Sequence, residues 1–184
     1  TDYTLSYSED TKNVGEVTVT VTGKGNYSGK VQRKYHITKA PLTVTTEGAT
    51  RAYNGQPLTA PGTVTGFVEG ENAELQVTGK QTDVGSSKNT YNIVWTETTK
   101  ADNYQVSDTV GTLTVTAQSI KDSEKITVGT LSNVVYTGKK QEQEPAVTTQ
   151  DGKTKLVKET DYTLSYSEDT KNVGEVTVTV TGKG

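Results

Sequence analysis

Apolar and polar residues alternate along most of this chain, so its dominant hydrophobic period is two. Val17, Val19 and Val21 alternate with Thr18, Thr20 and Thr22. Tyr3, Leu5 and Tyr7 keep the same spacing upstream. So do Leu42 and Val44, Leu75 and Val77, the run Tyr91, Ile93, Trp95, and Leu113 and Val115 downstream. A period of two puts such residues on one face of an extended strand. Val31, Tyr35 and Ile37 line a further face, with Arg33 interrupting it. The opposite positions are Thr, Ser and Lys, which predicts thin antiparallel sheets wet on one side. Turn signals separate the runs: Thr22-Gly23-Lys24-Gly25-Asn26, Asn54-Gly55 and Gln150-Asp151-Gly152-Lys153, the last reading as a two-residue hairpin turn. Short strands at roughly 8–12-residue spacing predict a sandwich or barrel. No helix of ordinary length is supported, and Glu69-Gly70-Glu71-Asn72-Ala73-Glu74 reads as a turn.

A repeat organises these strands. Residues 1–25 and 160–184 are identical at all 25 positions, at an offset of 159. Independent drift would erase such identity, so the expectation is a tandem array of which this chain is one period plus an overlap. Fainter landmarks divide the period. Tyr53-Asn54-Gly55 matches Tyr136-Thr137-Gly138, Asp83-Val84-Gly85 matches Asn13-Val14-Gly15 and Asn172-Val173-Gly174, and Asn103-Tyr104 matches Asn26-Tyr27. The order is kept, which suggests alternating A and B units of roughly 80 residues. Residues 1–39 are then the C-terminal part of an A unit and 40–117 a complete B unit. Residues 118–184 are the N-terminal part of the next A unit, lacking its last strand. The sheet ending at Gly184 should have an open edge, and residues 26–38 of a neighbouring molecule are expected to complete it end to end.

Composition sharpens this picture. Thr (36) and Val (23) make up about a third of the 184 residues, and both are β-branched and stiff at χ1. Only 30% of the chain is hydrophobic, against one large core. With one Phe and one Trp, the ten Tyr must supply most aromatic packing. The net charge is −3 with the signs interspersed, so the electrostatic footprint of a nucleic-acid binder is absent. No apolar run is long enough for membrane insertion. Zero Cys removes disulfides and thiolate chemistry. The start, Thr1-Asp2-Tyr3-Thr4, is neither a signal nor a transit peptide. With no Met, the chain is expected to be an internal fragment of a larger protein.

Several strings resemble known repeats. Tyr136-Thr137-Gly138-Lys139-Lys140-Gln141, Pro145-Ala146-Val147-Thr148, Asp161-Tyr162-Thr163-Leu164-Ser165-Tyr166 and Val178-Thr179-Val180-Thr181-Gly182-Lys183-Gly184 resemble repeats of large Firmicutes surface proteins. Residues 40–117, with Tyr53-Asn54-Gly55, Asp83-Val84-Gly85-Ser86, Tyr91-Asn92-Ile93, Asn103-Tyr104-Gln105-Val106 and Gly111-Thr112-Leu113-Thr114-Val115, look like an MBG-type bacterial Ig-like domain. The resemblance implies an all-β chain of tandem small Ig-like antiparallel β-sandwich domains in an elongated array. It further implies secreted stalk modules of cell-wall-anchored adhesins at the bacterial cell surface, and it carries no ligand residues to transfer. No wall-sorting motif is present.

Reactive chemistry is sparse, and no enzyme, cofactor or metal is expected. His36 sits beside Lys34 and Tyr35 without the partners of a triad or zinc site. The carboxylates of Glu9-Asp10 and Glu168-Asp169 read as solvated turns, and the spaced oxygens of a calcium loop are missing. No Lys is flanked by apolar residues as an isopeptide crosslink would need. The leading functional reading is a stalk or spacer that projects a distal binding domain from the cell wall, its partners being neighbouring repeats of the same chain. The alternative is an adhesive repeat that binds a host glycoprotein, mucin or immunoglobulin, through many weak copies. That reading needs an exposed aromatic or apolar patch, for which Tyr53 and Phe67 are the candidates, the alternative for both being a place in the core.

Overall fold

The computed structural model describes residues 2–183 and is all-β apart from one 3-10 turn, Ala101–Asn103. Its residues group into two compact units. One comprises 1–50, 57–81 and 86–114, and the other comprises 51–56, 82–85 and 115–184. The sheets have two or three strands each.

In the first unit, β1 (Tyr3–Tyr7), β2 (Gly15–Gly23) and β3 (Lys30–Ile37) form an antiparallel meander in the order β1-β2-β3. The Val/Thr alternation fixes its register. Leu5 pairs with Val21 and Val21 with Val31; Tyr7 pairs with Val19 and Val19 with Arg33; Val17 pairs with Tyr35. All of these share one face, because paired residues of a ladder point the same way. The other face carries Thr4, Thr22 and Lys30, then Ser6, Thr20 and Gln32.

The same unit holds β4 (Ala40–Thr46), β6 (Gly62–Thr65) and β10 (Tyr104–Val110), in the order β10-β4-β6. Strand β4 alternates strictly: Leu42, Val44 and Thr46 are buried while Pro41, Thr43 and Thr45 are exposed. It pairs with β6 antiparallel but with β10 parallel, Leu42 opposite Val106 and Val44 opposite Asp108. This corrects the expectation of purely antiparallel sheets. A parallel pair needs a long crossover between its strands. The chain from 47 to 103 supplies one, through β5 (Ala49–Ala52), β7 (Ala73–Val77), β8 (Gly85–Lys88) and β9 (Tyr91–Trp95). Strands β7 and β9 pair antiparallel although β8 lies between them in the chain, and β11 (Thr112–Thr116) lies between β5 and β8. Leu113 and Val115 of β11 are as deeply buried as Leu42 and Val44.

Residues 118–183 contain two small antiparallel pairs. Strand β12 (Ile126–Val128) pairs with β13 (Val147–Thr149), and β14 (Tyr162–Tyr166) pairs with β15 (Val178–Gly182). Ile126, Val147 and Tyr162 form a core against which Ile120, Leu156, Leu164 and Val180 pack. The expected two-residue turn at Asp151-Gly152 is instead a four-residue connection. Thr149 N–H donates to Thr154 O at 2.9 Å, which leaves 150–153 as the loop. Asp151 Oδ1 accepts from the Thr149 hydroxyl (2.6 Å) and from Lys153 N–H (3.1 Å), and these bonds hold the wider loop.

Candidate functional site

The sequence-level candidates fall into separate settings. Phe67 is half-buried in an aromatic trio. Its ring meets Tyr104 edge-on at 5.5 Å and Trp95 edge-on at 6.2 Å, while Trp95 and Tyr104 stack at 5.7 Å. Tyr104 is buried, and its hydroxyl donates to Glu71 Oε2 at 2.7 Å and accepts from Val68 N–H at 3.1 Å. Burial, with the Glu71 carboxylate adding to it, pushes the Tyr104 hydroxyl pKa up and keeps it a donor. Edge-to-face geometry of this kind is worth about 0.5–1.5 kcal/mol per pair beyond area burial. The Phe67 ring therefore has packing partners of its own. Tyr53 is 42% exposed and takes no part in the trio.

Tyr53 instead belongs to a local turn that recurs. Gly55 has φ 75° and Gly138 has φ 71°, conformations that a Cβ disfavours. A Cβ built on Gly55 would lie 3.9 Å from the Tyr53 hydroxyl, and one built on Gly138 would lie 3.8 Å from the Tyr136 hydroxyl. In both Tyr-x-Gly segments the phenol folds back over its own glycine. The landmark match between Tyr53-Asn54-Gly55 and Tyr136-Thr137-Gly138 is thus one of shape as well as letters.

The acidic pairs are turn residues. Asp10 accepts from Lys12 N–H (3.0 Å), Asn13 N–H (2.9 Å) and Asn13 Nδ2 (2.7 Å). Asp169 repeats this with Lys171 N–H and Asn172 N–H and Nδ2, each at 2.9 Å. The Asn N–H, first among these donors, holds each carboxyl down from 3.8 to about 2. A depressed folded-state pKa favours the folded turn above the ordinary carboxylate range, and that contribution is lost as pH falls through about 2. Carboxyl-detected NMR titration is therefore expected to give both groups midpoints near 2, with the turns intact at pH 4; midpoints close to 3.8 would contradict the assigned bonds.

The Asp10 turn reaches a second segment of its unit. Asn103 Oδ1 accepts from Val14 N–H at 3.0 Å, and Asn103 Nδ2 donates to Asn13 Oδ1 at 2.9 Å. This reciprocal pair ties the meander to the loop that leads into β10. It was not anticipated from sequence, although both asparagines stand among the repeat landmarks.

His36 lies on the exposed side of β3, its Nε2 3.9 Å from Glu16 Oε2, and Lys34 Nζ pairs with Glu16 Oε1 at 2.7 Å. The Lys34–Glu16 contact is a surface ion pair of small energetic value. Among the described residues no three His, Asp or Glu side chains converge as a metal site would require. No helix among them is long and apolar enough to cross a membrane. A shallow hollow of about 490 Å³ is lined by Tyr3, Val21, Gly23, Tyr27 and Val31 among others.

The structure thus defines an all-β chain of small sheets whose features are turns and packing faces. Comparison with known families agrees: residues 42–114 match the family described as MBG domain (YGX type). That segment is an MBG-type repeat, a structural kind of domain, and it covers less than half of the chain. No curated protein and no solved structure matches the chain.

Proposed function

We propose that the chain is a non-catalytic spacer from a bacterial cell-surface adhesin, built of tandem Ig-like sandwich units, and that it projects a distal binding domain from the cell wall. Residues 40–117 are then the complete B unit, with 1–39 and 118–184 belonging to A units. The observation that carries this reading is the hairpin that occurs twice. The identical segments fold into the same ladder, Leu5 opposite Val21 and Leu164 opposite Val180, before and after the MBG-type repeat in sequence. A chain that folds the same piece again after one period can be lengthened by whole periods without altering any unit. The MBG match supports a repeat of a surface protein.

The adhesive alternative draws on the 42% exposed Tyr53 and on Phe67, and these residues make it testable. Purified mucin and immunoglobulin presented to the chain are expected to show no saturable binding. If they bind, and Tyr53→Ala or Phe67→Ala abolishes the binding, the chain is adhesive and the spacer reading fails.

A further inference from the structure

The duplicated segment is a controlled comparison inside one molecule: one sequence in two environments. The internal bonds are the same. Ser8 N–H donates to Thr18 O at 3.0 Å, and Ser167 N–H donates to Thr177 O at 3.0 Å. Lys24 N–H donates to Asp2 O, and Lys183 N–H to Asp161 O, both at 2.9 Å. The apolar faces differ. Tyr3 is 50% exposed, while its copy Tyr162 is 5% exposed. Leu5 and Tyr7 are also exposed, at 48% and 54%, whereas Leu164 and Tyr166 are partly covered.

The cover on the second copy is residues 118–159 of the same unit. Ile126 and Val147 pack with Tyr162, and Ile120, Leu156, Leu164 and Val180 pack against that core. A Cβ on Gly182 would lie 3.4 Å from Ile120 Cγ2. Polar bonds accompany the packing: the Tyr166 hydroxyl donates to Gln143 O at 3.0 Å, and Val157 N–H donates to Asp161 Oδ2 at 2.7 Å. In the first copy, Tyr3, Val21 and Gly23 stand where Tyr162, Val180 and Gly182 stand in the second. These three line the shallow hollow of about 490 Å³. The place that Ile120 takes above Gly182 is filled above Gly23 by the Tyr27–Ser28 backbone, 2.9 Å from a Cβ built there, so the part of the face left uncovered is Tyr3, Leu5 and Tyr7.

We propose that the Tyr3–Leu5–Tyr7 face of the β1–β3 meander is a docking surface for another copy of residues 118–159, supplied by an adjoining repeat, with the counterparts of Ile126 and Val147 packed on Tyr3. The inference rests on the tandem reading and adds the interface by which an A unit is completed. Its chemistry is that of a sheet face covered by short aliphatic side chains, with backbone groups bonded at the rim. The existing core of residues 118–183 is its template.

The test places a second copy of residues 118–159 directly ahead of Thr1 and compares that extended chain with the original. In the original, Tyr162→Ala is expected to lower the unfolding temperature of its unit by about 10 °C or more, and Tyr3→Ala to leave melting unchanged. In the extended chain, Tyr3→Ala should become as damaging as Tyr162→Ala. NMR signals of Tyr3, Leu5 and Tyr7 should move onto those of Tyr162, Leu164 and Tyr166. An Ile→Asp change at the added counterpart of Ile126 should undo both effects. Tyr3→Ala remaining silent, with unmoved signals, overturns the proposal. A concentration-dependent loss from Tyr3→Ala in the original chain also overturns it, because the face would then be a contact between identical molecules. Either failure leaves the spacer reading to its own test of length.

Discussion

Replacing Asn89 by alanine is expected to destabilise the MBG-type repeat by about 3 kcal/mol or more, a large share of what a small domain has. Asn89 is fully buried, and its side-chain amide donates to two backbone carbonyls, Glu47 O at 2.9 Å and Ala60 O at 3.0 Å. Its own backbone continues the knot. Asn89 N–H donates to Gly111 O at 2.9 Å, and the buried Thr46 hydroxyl donates to Asn89 O at 2.8 Å while accepting from Gly111 N–H at 3.0 Å. Alanine leaves two carbonyls without their donor and opens a void, two costs that add. Asn89→Asp separates them. It keeps the shape but sets oxygen against two carbonyl oxygens, and it should be at least as damaging as alanine. Urea unfolding read on Trp95 fluorescence decides this. A midpoint unchanged in either variant would mean that the knot contributes little.

Gly111→Ala is expected to have an effect of similar size through the opposite fault. A Cβ at that position would lie 2.3 Å from the carbonyl carbon and oxygen of Glu47 and 2.5 Å from Gly48 N. These are backbone atoms, so no side chain can swing aside, and strands β4 and β10 would have to part. Overpacking of that kind costs about 3 kcal/mol or more where the neighbours cannot yield. Gly174→Ala is the control. A Cβ there meets nothing within 4 Å, and a change within about 0.5 kcal/mol is expected from equilibrium unfolding. Equal stabilities for the two variants would refute the close approach at Gly111.

The meander was legible because period-two alternation specifies both strand and face. Val17, Val19 and Val21 alone place β2, and turn residues bound it. Strand β4 was legible for the same reason up to Val44. Thr46 was not, since a buried threonine carries the same letter as the many exposed ones, and only its bonds to Asn89 and Gly111 distinguish it. Asn89 was missed because a hydrogen-bonding knot among distant loops has no period. The parallel pairing of β4 with β10 was missed because alternation fixes which face is buried and not which way a neighbour runs. Strand β15 shows a further limit. Its sequence copies β2, yet its ladder starts at Val178, while that of β2 starts at Gly15. Residues 15–18 of β2 pair with β3 alone, so the length of this strand is set by its neighbour, not by its own residues.

Of the candidate site residues, Phe67 shows how little an isolated aromatic reveals. Between Gly66 and Val68 it reads equally as a binding anchor or as core, and only the fold shows Trp95 and Tyr104 against its ring.

Small-angle scattering on chains of one, two and three 159-residue periods tests the account most directly. The spacer reading requires the maximum dimension to rise by a constant increment with each period and the cross-section to stay fixed. A maximum dimension that grows only as the cube root of chain length, as for one compact globule, would contradict it.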